Sequence, residues 1–266
     1  MAVKLIVNGA AGRMGKRIIA LASENSEIDI VGAVDWEKSP EIGKDAGTAA
    51  GVEPLGVEIT SEYPDGADAV IDFSLPQATD KLLEFCVDKK VPLVLCTTGL
   101  SDQQIENVRK AAQTIPIMRA SNMSVGMNLL FTLVGRIAAT LGPDYDIEIT
   151  EAHHRFKKDA PSGTAMTLAE KIAEGTGRTF PDCLQHGREG KDALREAGTI
   201  GMHALRGGDI TGEHSVFYST LGETITISHS AHSRDTFARG SLRAGVWIKD
   251  QKPGLYDMAD CLGLEK

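Results

Sequence analysis

The stretch VKLIVNGAAGRMG, residues 3–15, places an apolar run directly before three glycines that recur at every third position. The run predicts a buried strand, and apolar residues at helical spacing from Met14 to Ala22 predict that a helix follows. Such a turn lets a ligand approach the backbone, and the helix start offers N–H groups to an anion such as a pyrophosphate. The spacing departs from the usual G-x-G-x-x-G, so a turn required only for close helix–strand packing is the alternative.

Further apolar segments predict strands that alternate with helices at short intervals. They are residues 28–35, 67–74, 92–99 and 115–121. The sequence SDQQ at 101–104 is typical of a capping box at a helix start. This alternation favours an α/β fold with a Rossmann-like, doubly wound parallel sheet, which we place in residues 1–124. Asp35 ends the second strand, where its carboxylate can accept hydrogen bonds from an adenosine ribose.

Polar residues follow two of these strands. Thr97 and Thr98 lie in CTTG (96–99), and Ser121 and Asn122 lie in ASNMS (120–124). Because ligands bind beyond the carboxyl ends of parallel strands, these side chains are candidates to bind a nicotinamide or its ribose. Ordinary turn or cap roles are the alternative.

The second half of the chain has a different pattern. A long apolar helix near 126–141 precedes three segments in which apolar and polar residues alternate, which indicates an antiparallel sheet with one solvated face. The three segments are residues 199–205, 214–220 and 223–230. We predict a smaller α+β domain with an open mixed or antiparallel sheet over residues 125–233. Residues 175–198, rich in glycine and charge, are expected to form an exposed loop.

The tail of the chain, residues 234–266, begins with a predicted helix. We expect it to contain no strand of its own and to pack back on the first domain.

Composition and charge argue against several classes of protein. The 266 residues carry a net charge of −9, which opposes binding to nucleic acid. The sequence contains no run of about 18 apolar residues, so we predict no membrane span. The four cysteines form no CxxC pair, which favours reduced thiols in the cytoplasm. Adjacent histidines such as His153 and His154 point to opposite faces of a strand, so we predict no metal site.

A second stretch, EAHHRFKKDAPSGTA (151–165), places two histidines and several cations before a predicted helix start that Ser162 can cap. Crowded cations repel one another, and an anion bound among them would offset this repulsion. If a substrate carries carboxylates, Lys157 and the N–H groups of Gly163 and Thr164 are candidates to bind them. A nearby histidine could transfer a proton near neutral pH. A solvated charged surface is the alternative.

Together these segments resemble the 4-hydroxy-tetrahydrodipicolinate reductase family, formerly the dihydrodipicolinate reductases, over essentially the whole chain. The stretch at 151–165 resembles the family signature, and other family blocks occur in order. They are GAAGRMG (9–15), IDFS (71–74), TTG (97–99), SNMSVGMN (121–128), RGGDITGEH (206–214) and GLYDMADCLGL (254–264). The resemblance implies an oxidoreductase of lysine and diaminopimelate biosynthesis that uses NAD(P)H. It implies hydride transfer to C4 of a cyclic dicarboxylate, loss of the 4-hydroxyl as water, and protonation of the neighbouring carbon. It also implies a homotetramer assembled through the open sheet.

The resemblance assigns roles to particular positions. The implied cofactor-binding residues are Gly9, Ala10, Ala11, Gly12, Arg13, Met14, Asp35, Cys96, Thr97, Thr98, Ser121, Asn122, Met123 and Ser124. The implied substrate-binding residues are His154, Gly163 and Thr164. His153 matches the proton donor or acceptor, and Lys157 matches a second proton donor. Cys96 stands where many relatives carry glycine.

Asp35 also predicts which cofactor is preferred. A 2′-phosphate would meet like charge there and lose the ribose hydrogen bonds, while the next residue, Trp36, offers no charge. Cations nearby are the counter-argument. They are Arg13, Lys16, Arg17 and Lys38. Since relatives often accept both cofactors, we predict that NADH is preferred and NADPH is tolerated.

Two other functions stay open on the residues alone. One is a two-domain dehydrogenase that acts on an amino or semialdehyde acid, which the sheet pattern does not distinguish. The other is a non-catalytic redox-sensing regulator built on a Rossmann domain. Neither a DNA-binding helix pair nor a basic face is visible in the sequence to support the regulator.

Overall fold

A parallel sheet organises the first part of the chain in the computed structural model, which describes residues 2–264. Its strands are β1 (Val3–Asn8), β2 (Ile28–Val34), β3 (Ile59–Thr60), β4 (Ala69–Asp72), β5 (Leu93–Leu95), β6 (Pro116–Arg119) and β12 (Gly254–Tyr256). Their order is β12-β6-β5-β4-β1-β2-β3, and each neighbouring pair is parallel. The predicted doubly wound sheet is confirmed, and the direction of strand addition reverses between β1 and β4.

Helices pack on this sheet and bury it. They are α1 (Arg13–Ser23), α2 (Ala46–Ala50), α3 (Thr79–Lys89), α4 (Asp102–Ala111), α7 (Asp235–Ile248) and α8 (Met258–Leu262). Neighbouring residues of one strand, such as Leu5 and Ile6, are both fully buried and belong to different apolar clusters. Both faces of the sheet are therefore covered, which explains the continuous apolar runs in the sequence. The predicted capping box is present, since the Ser101 hydroxyl accepts a hydrogen bond from Gln104 N–H.

The prediction that the tail contains no strand is wrong. Gly254–Tyr256 forms β12, which adds to the sheet in parallel next to β6. Three residues are too few to show a strand period, so its hydrogen bonds with β6 rather than its own sequence define it. The tail also attaches through α7, because Asp235 forms a two-pronged ion pair with Arg17 of α1.

A second sheet has the strands β7 (Asp146–His153), β8 (Leu184–His186), β9 (Ile200–Arg206), β10 (Glu213–Thr220) and β11 (Glu223–Ser230). Their order is β11-β10-β7-β9-β8. β10 is antiparallel to both of its neighbours, whereas β9 is parallel to β7 and β8, so the sheet is mixed. The expected loop at 175–198 is interrupted by β8, whose three residues gain their pairing from β9.

Two helices, α5 (Val125–Leu141) and α6 (Gly163–Thr176), supply the apolar partner of this sheet. They approach closely at two glycines: a Cβ at Gly135 would lie 2.3 Å from the Lys171 carbonyl oxygen, and one at Gly175 would lie 2.5 Å from the Gly135 carbonyl oxygen. A side chain at either position would force the helices apart.

The chain divides into two compact units. The first comprises the described residues up to Val125 together with Arg234–Gly263, and the second comprises Gly126–Ser233. In the second unit, β7 alternates buried and less buried residues, so Ile147, Ile149, Glu151 and His153 share its buried face. The apolar core face of β7 thus ends in two titratable side chains. Among residues 2–264, no helix has the length and apolar character needed to cross a membrane.

Candidate active site

The glycine turn of the first unit lies at the point where the strand order reverses. Gly9 has a φ of +78°, and a Cβ there would lie 2.7 Å from the Phe73 carbonyl oxygen, just beyond the end of β4. A Cβ at Gly15 would lie 2.2 Å from the Gly9 carbonyl oxygen. Gly12 caps α1 without a side-chain hydrogen bond. Side chains at these glycines would therefore clash with the backbone of the turn. Because the start of α1 has no side-chain cap, its backbone N–H groups fit a pyrophosphate.

Asp35 ties this turn to the end of β2. One carboxylate oxygen accepts the Ala11 N–H at 2.8 Å, and the other accepts the Trp36 N–H at 2.9 Å. Asp35 is only partly buried, so the carboxylate retains lone pairs for a ribose. The sequence indicated the ribose contact but not this anchor for the turn.

A fully buried carboxylate, Asp72, joins the ends of three neighbouring strands. It accepts hydrogen bonds from Asn8 Nδ2 at 2.7 Å, from the Thr97 hydroxyl at 2.6 Å and from the Ser74 hydroxyl at 2.6 Å. Tyr63 completes the network by donating to Asn8 Oδ1. Sequence reasoning did not single out Asp72, although IDFS (71–74) ends a strand with a carboxylate, which is unusual for a buried position.

The structure separates the other predicted cofactor-binding residues by exposure. Thr98 and Ser121 are exposed and Asn122 is partly exposed, whereas Cys96 and Met123 lie in the apolar core. Among the other predicted cofactor-binding residues, Ser124 and Ala10 are buried, Ala11 and Met14 are partly buried, and Arg13 is exposed. Burial raises the pKa of the Cys96 thiol. Contacts from Cys96 and Met123 to a nucleotide would have to come from the backbone.

Two of the cations near Asp35 are held by carboxylates. Lys16 Nζ lies 3.0 Å from Glu41 Oε1, and Arg17 is paired with Asp235. Within residues 2–264, neither Arg13 nor Lys38 has an ion pair. The positive charge that is free to act near Asp35 is therefore smaller than the sequence suggests.

In the second unit, the candidate catalytic side chains surround Glu151, which is buried. Arg206 of β9 binds both Glu151 oxygens, at 2.7 and 2.8 Å. His153 Nδ1 lies 2.6 Å from Oε2, and Ser162 N–H donates to Oε1 at 3.0 Å. Burial would raise the pKa of Glu151, but Arg206 and His153 together hold it below the ordinary value. The carboxylate is therefore ionised at neutral pH.

His153 is buried, and burial is the main cause that lowers the pKa of its imidazole, although Glu151 acts to raise it. The ring is neutral at pH 7 in the free protein. Because an ionised carboxylate can only accept, Nδ1 carries the proton and Nε2 bears the lone pair. A Cβ at the buried Gly212 would lie 3.2 Å from Nε2, so the absence of a side chain there leaves this nitrogen uncrowded.

Ser162 connects this cluster to the start of α6. Its hydroxyl accepts the Ala165 N–H at 3.2 Å, as the predicted cap, and lies 3.1 Å from His214 Nε2. The His214 ring meets the His153 ring edge to face, with centroids 5.2 Å apart. Burial and the nearby His153 lower the pKa of His214 to about 3, so this ring stays neutral.

The other predicted substrate-site residues lie in the segment between β7 and α6. His154 follows β7, and its buried Nδ1 has no partner within the part of the chain that the structure describes. Lys157 Nζ pairs with Asp159 at 2.9 Å, a partner that the sequence did not indicate. Gly163 begins α6 at the surface and Thr164 is buried. In residues 2–264, no group of three or more His, Cys, Asp or Glu is arranged to hold a metal ion.

A glycine turn at the strand reversal, with the Asp35 carboxylate bound to it, is typical of one class of protein: the pyridine-nucleotide-dependent oxidoreductases. Family models make this specific. Residues 3–123 match the N-terminal model of dihydrodipicolinate reductase, and residues 126–262 match the C-terminal model. The chain belongs to the dihydrodipicolinate reductase family, and the predicted resemblance is confirmed.

Individual relatives agree. A 4-hydroxy-tetrahydrodipicolinate reductase of Hahella chejuensis is 45% identical and covers 98% of this chain and 99% of its own. A 4-hydroxy-tetrahydrodipicolinate reductase of Trichlorobacter lovleyi is 47% identical, and the match covers 99% of this chain and 100% of that relative. Among solved structures, a dipicolinate-bound dihydrodipicolinate reductase of Paenisporosarcina sp. TG-14 has the same fold, with a TM-score of 0.75 and 21% identity over 98% of this chain and 99% of that one.

Proposed function

We propose that the chain reduces 4-hydroxy-tetrahydrodipicolinate to tetrahydrodipicolinate with loss of water, in lysine and diaminopimelate biosynthesis. The observation that carries this proposal is the full-length relationship to reductases of that name, at 45 and 47% identity. The clustered cations and paired histidine of the second unit fit a cyclic dicarboxylate whose reduction requires a proton.

The substrate carboxylates bind where positive charge and N–H groups converge. The start of α6 leaves the Gly163 N–H without a partner inside the helix, and the helix dipole favours an anion there. Thr164 contributes from the same turn. Lys157 lies on the preceding loop, and His154 Nδ1, which has no hydrogen-bond partner within residues 2–264, is the candidate donor or acceptor for a substrate oxygen.

His153 supplies the proton at the carbon next to the reduced position. Its Nδ1 is occupied by Glu151, so Nε2 is the atom that exchanges a proton with the substrate. An arriving dianionic substrate raises the proton affinity of the ring, which burial otherwise keeps low. Lys157 is the second proton donor, and in the free protein its ammonium is paired with Asp159.

The bound nucleotide supplies the hydride. Residues of the turn from Gly9 to Met14 hold its pyrophosphate, and Asp35 accepts the hydroxyls of its adenosine ribose. Ser121, Asn122 and Thr98 lie at the ends of β5 and β6 and take the nicotinamide side. NADH is preferred because Asp35 repels a 2′-phosphate while Glu41 and Asp235 occupy Lys16 and Arg17. NADPH is accepted more weakly.

Assembly and location are predictions of the same proposal. The homotetramer forms through the outer edge of the second sheet, where Leu221 and Ile225 of the β10–β11 hairpin are exposed. A cytoplasmic location and the absence of nucleic-acid binding fit the free cysteines and the net charge of −9.

The test is the absorbance of reduced nicotinamide in the presence of the cyclic substrate. The wild-type chain should consume NADH only when the substrate is added. His153→Ala should lower kcat by about 10²-fold with little change in cofactor affinity, because general acid catalysis contributes about that much. His186→Ala, an exposed histidine of the same unit, is the control. A His153 variant with most of the wild-type turnover would remove His153 from the mechanism.

A further inference from the structure

The Glu151 carboxylate has a donor at each of its four lone-pair positions. Oε1 accepts from Ser162 N–H and from one Arg206 nitrogen, and Oε2 accepts from His153 and from the other Arg206 nitrogen. Arg206 is itself anchored, since it donates to the Leu205 and Asp159 carbonyl oxygens, both at 2.6 Å. A carboxylate saturated in this way cannot rotate without breaking a charge-assisted hydrogen bond.

We propose that Glu151, held by Arg206, is a positioning residue that fixes the tautomer and ring orientation of His153, so that Nε2 alone faces the substrate. This inference rests on the proposed function, in which His153 exchanges the proton. Glu151 itself does not touch the substrate, because its oxygens have no free lone-pair direction.

The arrangement excludes the alternative state of the ring. Flipping His153 would replace the Nδ1–H donor with a carbon atom and leave a buried ionised oxygen one donor short. In the neutral ring Nε2 is an acceptor, and in the protonated ring it becomes a donor at the same place. The ring can therefore accept and deliver a proton without moving, which is what a repeated catalytic cycle requires.

Charged and titratable groups face His153 from each neighbouring element, and they act in opposite directions. Glu151 on its own strand favours the imidazolium, whereas Arg206 on β9 and Lys157 on the following loop disfavour it. His214 on β10 is the fourth neighbour, and it is neutral. Removing the charge of Glu151 should therefore lower the pKa of His153 further, and removing the charge of Arg206 should raise it.

A matched control exists on the same strand. Glu148 lies on the opposite face of β7 and has a similar set of partners, with Arg188, Arg195 and His203 in place of Arg206 and His153. Burial acts against ionisation of Glu148, but these partners lower its pKa to about 2. Glu148→Gln thus removes an equally well-paired carboxylate from the same strand without touching His153.

The experiment follows the imidazole ¹⁵N resonances of the full-length chain as a function of pH, with the His153 signals assigned by their loss in His153→Gln. The wild type should show the Nδ1–H tautomer. In Glu151→Gln, the midpoint of His153 titration should move to lower pH and the fraction of the Nε2–H tautomer should rise. Arg206→Gln should move the midpoint to higher pH. Glu148→Gln should leave both quantities unchanged.

The same variants are then assayed across pH. Turnover that depends on protonated His153 should decline at lower pH in Glu151→Gln than in the wild type and at higher pH in Arg206→Gln. Opposite shifts in the two variants support the inference even if one of them is less stable. It is overturned if neither variant changes the tautomer or the midpoint, or if Glu148→Gln shifts them equally. Because the resonances need no turnover, they decide the inference separately, while a wild-type chain that fails to reduce the substrate would refute the proposed function instead.

Discussion

The Thr97 hydroxyl donates to Asp72 at 2.6 Å and so joins the loop after β5 to the end of β4. Asn8 binds the other Asp72 oxygen at 2.7 Å and adds the end of β1. One buried carboxylate therefore fixes the three strand ends that surround the predicted nucleotide site. Thr97 is thus engaged inside the protein, and the neighbouring Thr98 is the exposed hydroxyl at this turn.

Asp72→Asn should destabilise the fold and weaken nucleotide binding. The NH₂ group of the new amide is a donor and would face side chains that donate to Asp72 in the wild type. We therefore expect the free energy of unfolding to fall by about 2 kcal/mol. The KM for NADH should rise because the strand ends are no longer fixed. Denaturant unfolding and initial rates measure the two effects. Asp29→Asn, an exposed carboxylate on β2, should change neither, and an Asp72 variant as stable as wild type would contradict this role.

Gly212→Ala should reduce turnover without unfolding the second unit. The added methyl group would lie 3.2 Å from His153 Nε2 and would crowd the atom that exchanges the proton. We expect kcat to fall by about tenfold or more, because small displacements of a reacting group are costly. Gly207→Ala is the control, since a Cβ there meets no atom within 4 Å. Equal activities of the two variants would show that Nε2 does not need this space.

Lys157→Ala should lower kcat/KM by about tenfold or more through loss of a charge-assisted contact with a substrate carboxylate. The adjacent Lys158 is exposed and makes an ideal comparison, since Lys158→Ala removes the same charge one residue away. We expect the Lys158 variant to stay within about twofold of wild type. Steady-state kinetics at varied substrate concentration distinguish the two. Similar losses in both variants would favour the alternative of a generally solvated basic surface.

Thr164→Val should act on substrate affinity. Its side chain is buried in the first turn of α6, where the carboxylate is proposed to bind. Loss of hydrogen bonding worth about 1.4 kcal/mol would raise the KM for substrate roughly tenfold with kcat little changed. Thr176→Val, at the other end of the same helix, controls for effects on helix stability. An unchanged KM in Thr164→Val would argue against a carboxylate at this helix start.

The sequence predicted the first sheet well because its strands are buried on both faces and appear as uninterrupted apolar runs, as at Val3–Asn8. It could not predict β8 or β12, which have three residues each and form only because a longer neighbour offers free backbone groups. In the second sheet, alternation located β9 correctly but indicated antiparallel pairing, which is wrong for this strand. That strand pairs in parallel with β7, and direction depends on the path of the intervening chain.

The candidate site shows the same division between local and long-range information. The cap at Ser162 and the glycines of the first turn are local signals, and both were visible. Glu151 and Asp72 were not visible as organising carboxylates, because their partners are distant in sequence: Arg206 is 55 residues from Glu151, and Asn8 is 64 residues from Asp72. Only the folded sheet brings such residues into register, as His153 and Arg206 are on β7 and β9.

The preference for NADH depends on which charges face the adenosine ribose. Asp35 carries the negative charge there, and Trp36, which is 63% exposed, can cover an adenine but offers a phosphate no charge. We expect wild-type kcat/KM to favour NADH by about tenfold, or roughly 1.4 kcal/mol. Trp36→Arg should narrow or reverse this ratio, chiefly through the KM for NADPH, because it supplies the missing cation.

Glu41→Gln tests the same preference from the other side. It releases Lys16 and Lys44 from their 3.0 Å ion pairs without adding any new group, so the freed ammonium groups can partly neutralise a 2′-phosphate. The NADH preference should shrink by a few-fold, again through the KM for NADPH. Glu62→Gln, which breaks the exposed pair with Lys81, should leave the ratio unchanged. Initial rates with both cofactors at saturating substrate decide the matter. A wild-type chain that prefers NADPH would show that Arg13 or Lys38, the two cations near the turn without an ion pair in residues 2–264, outweighs Asp35.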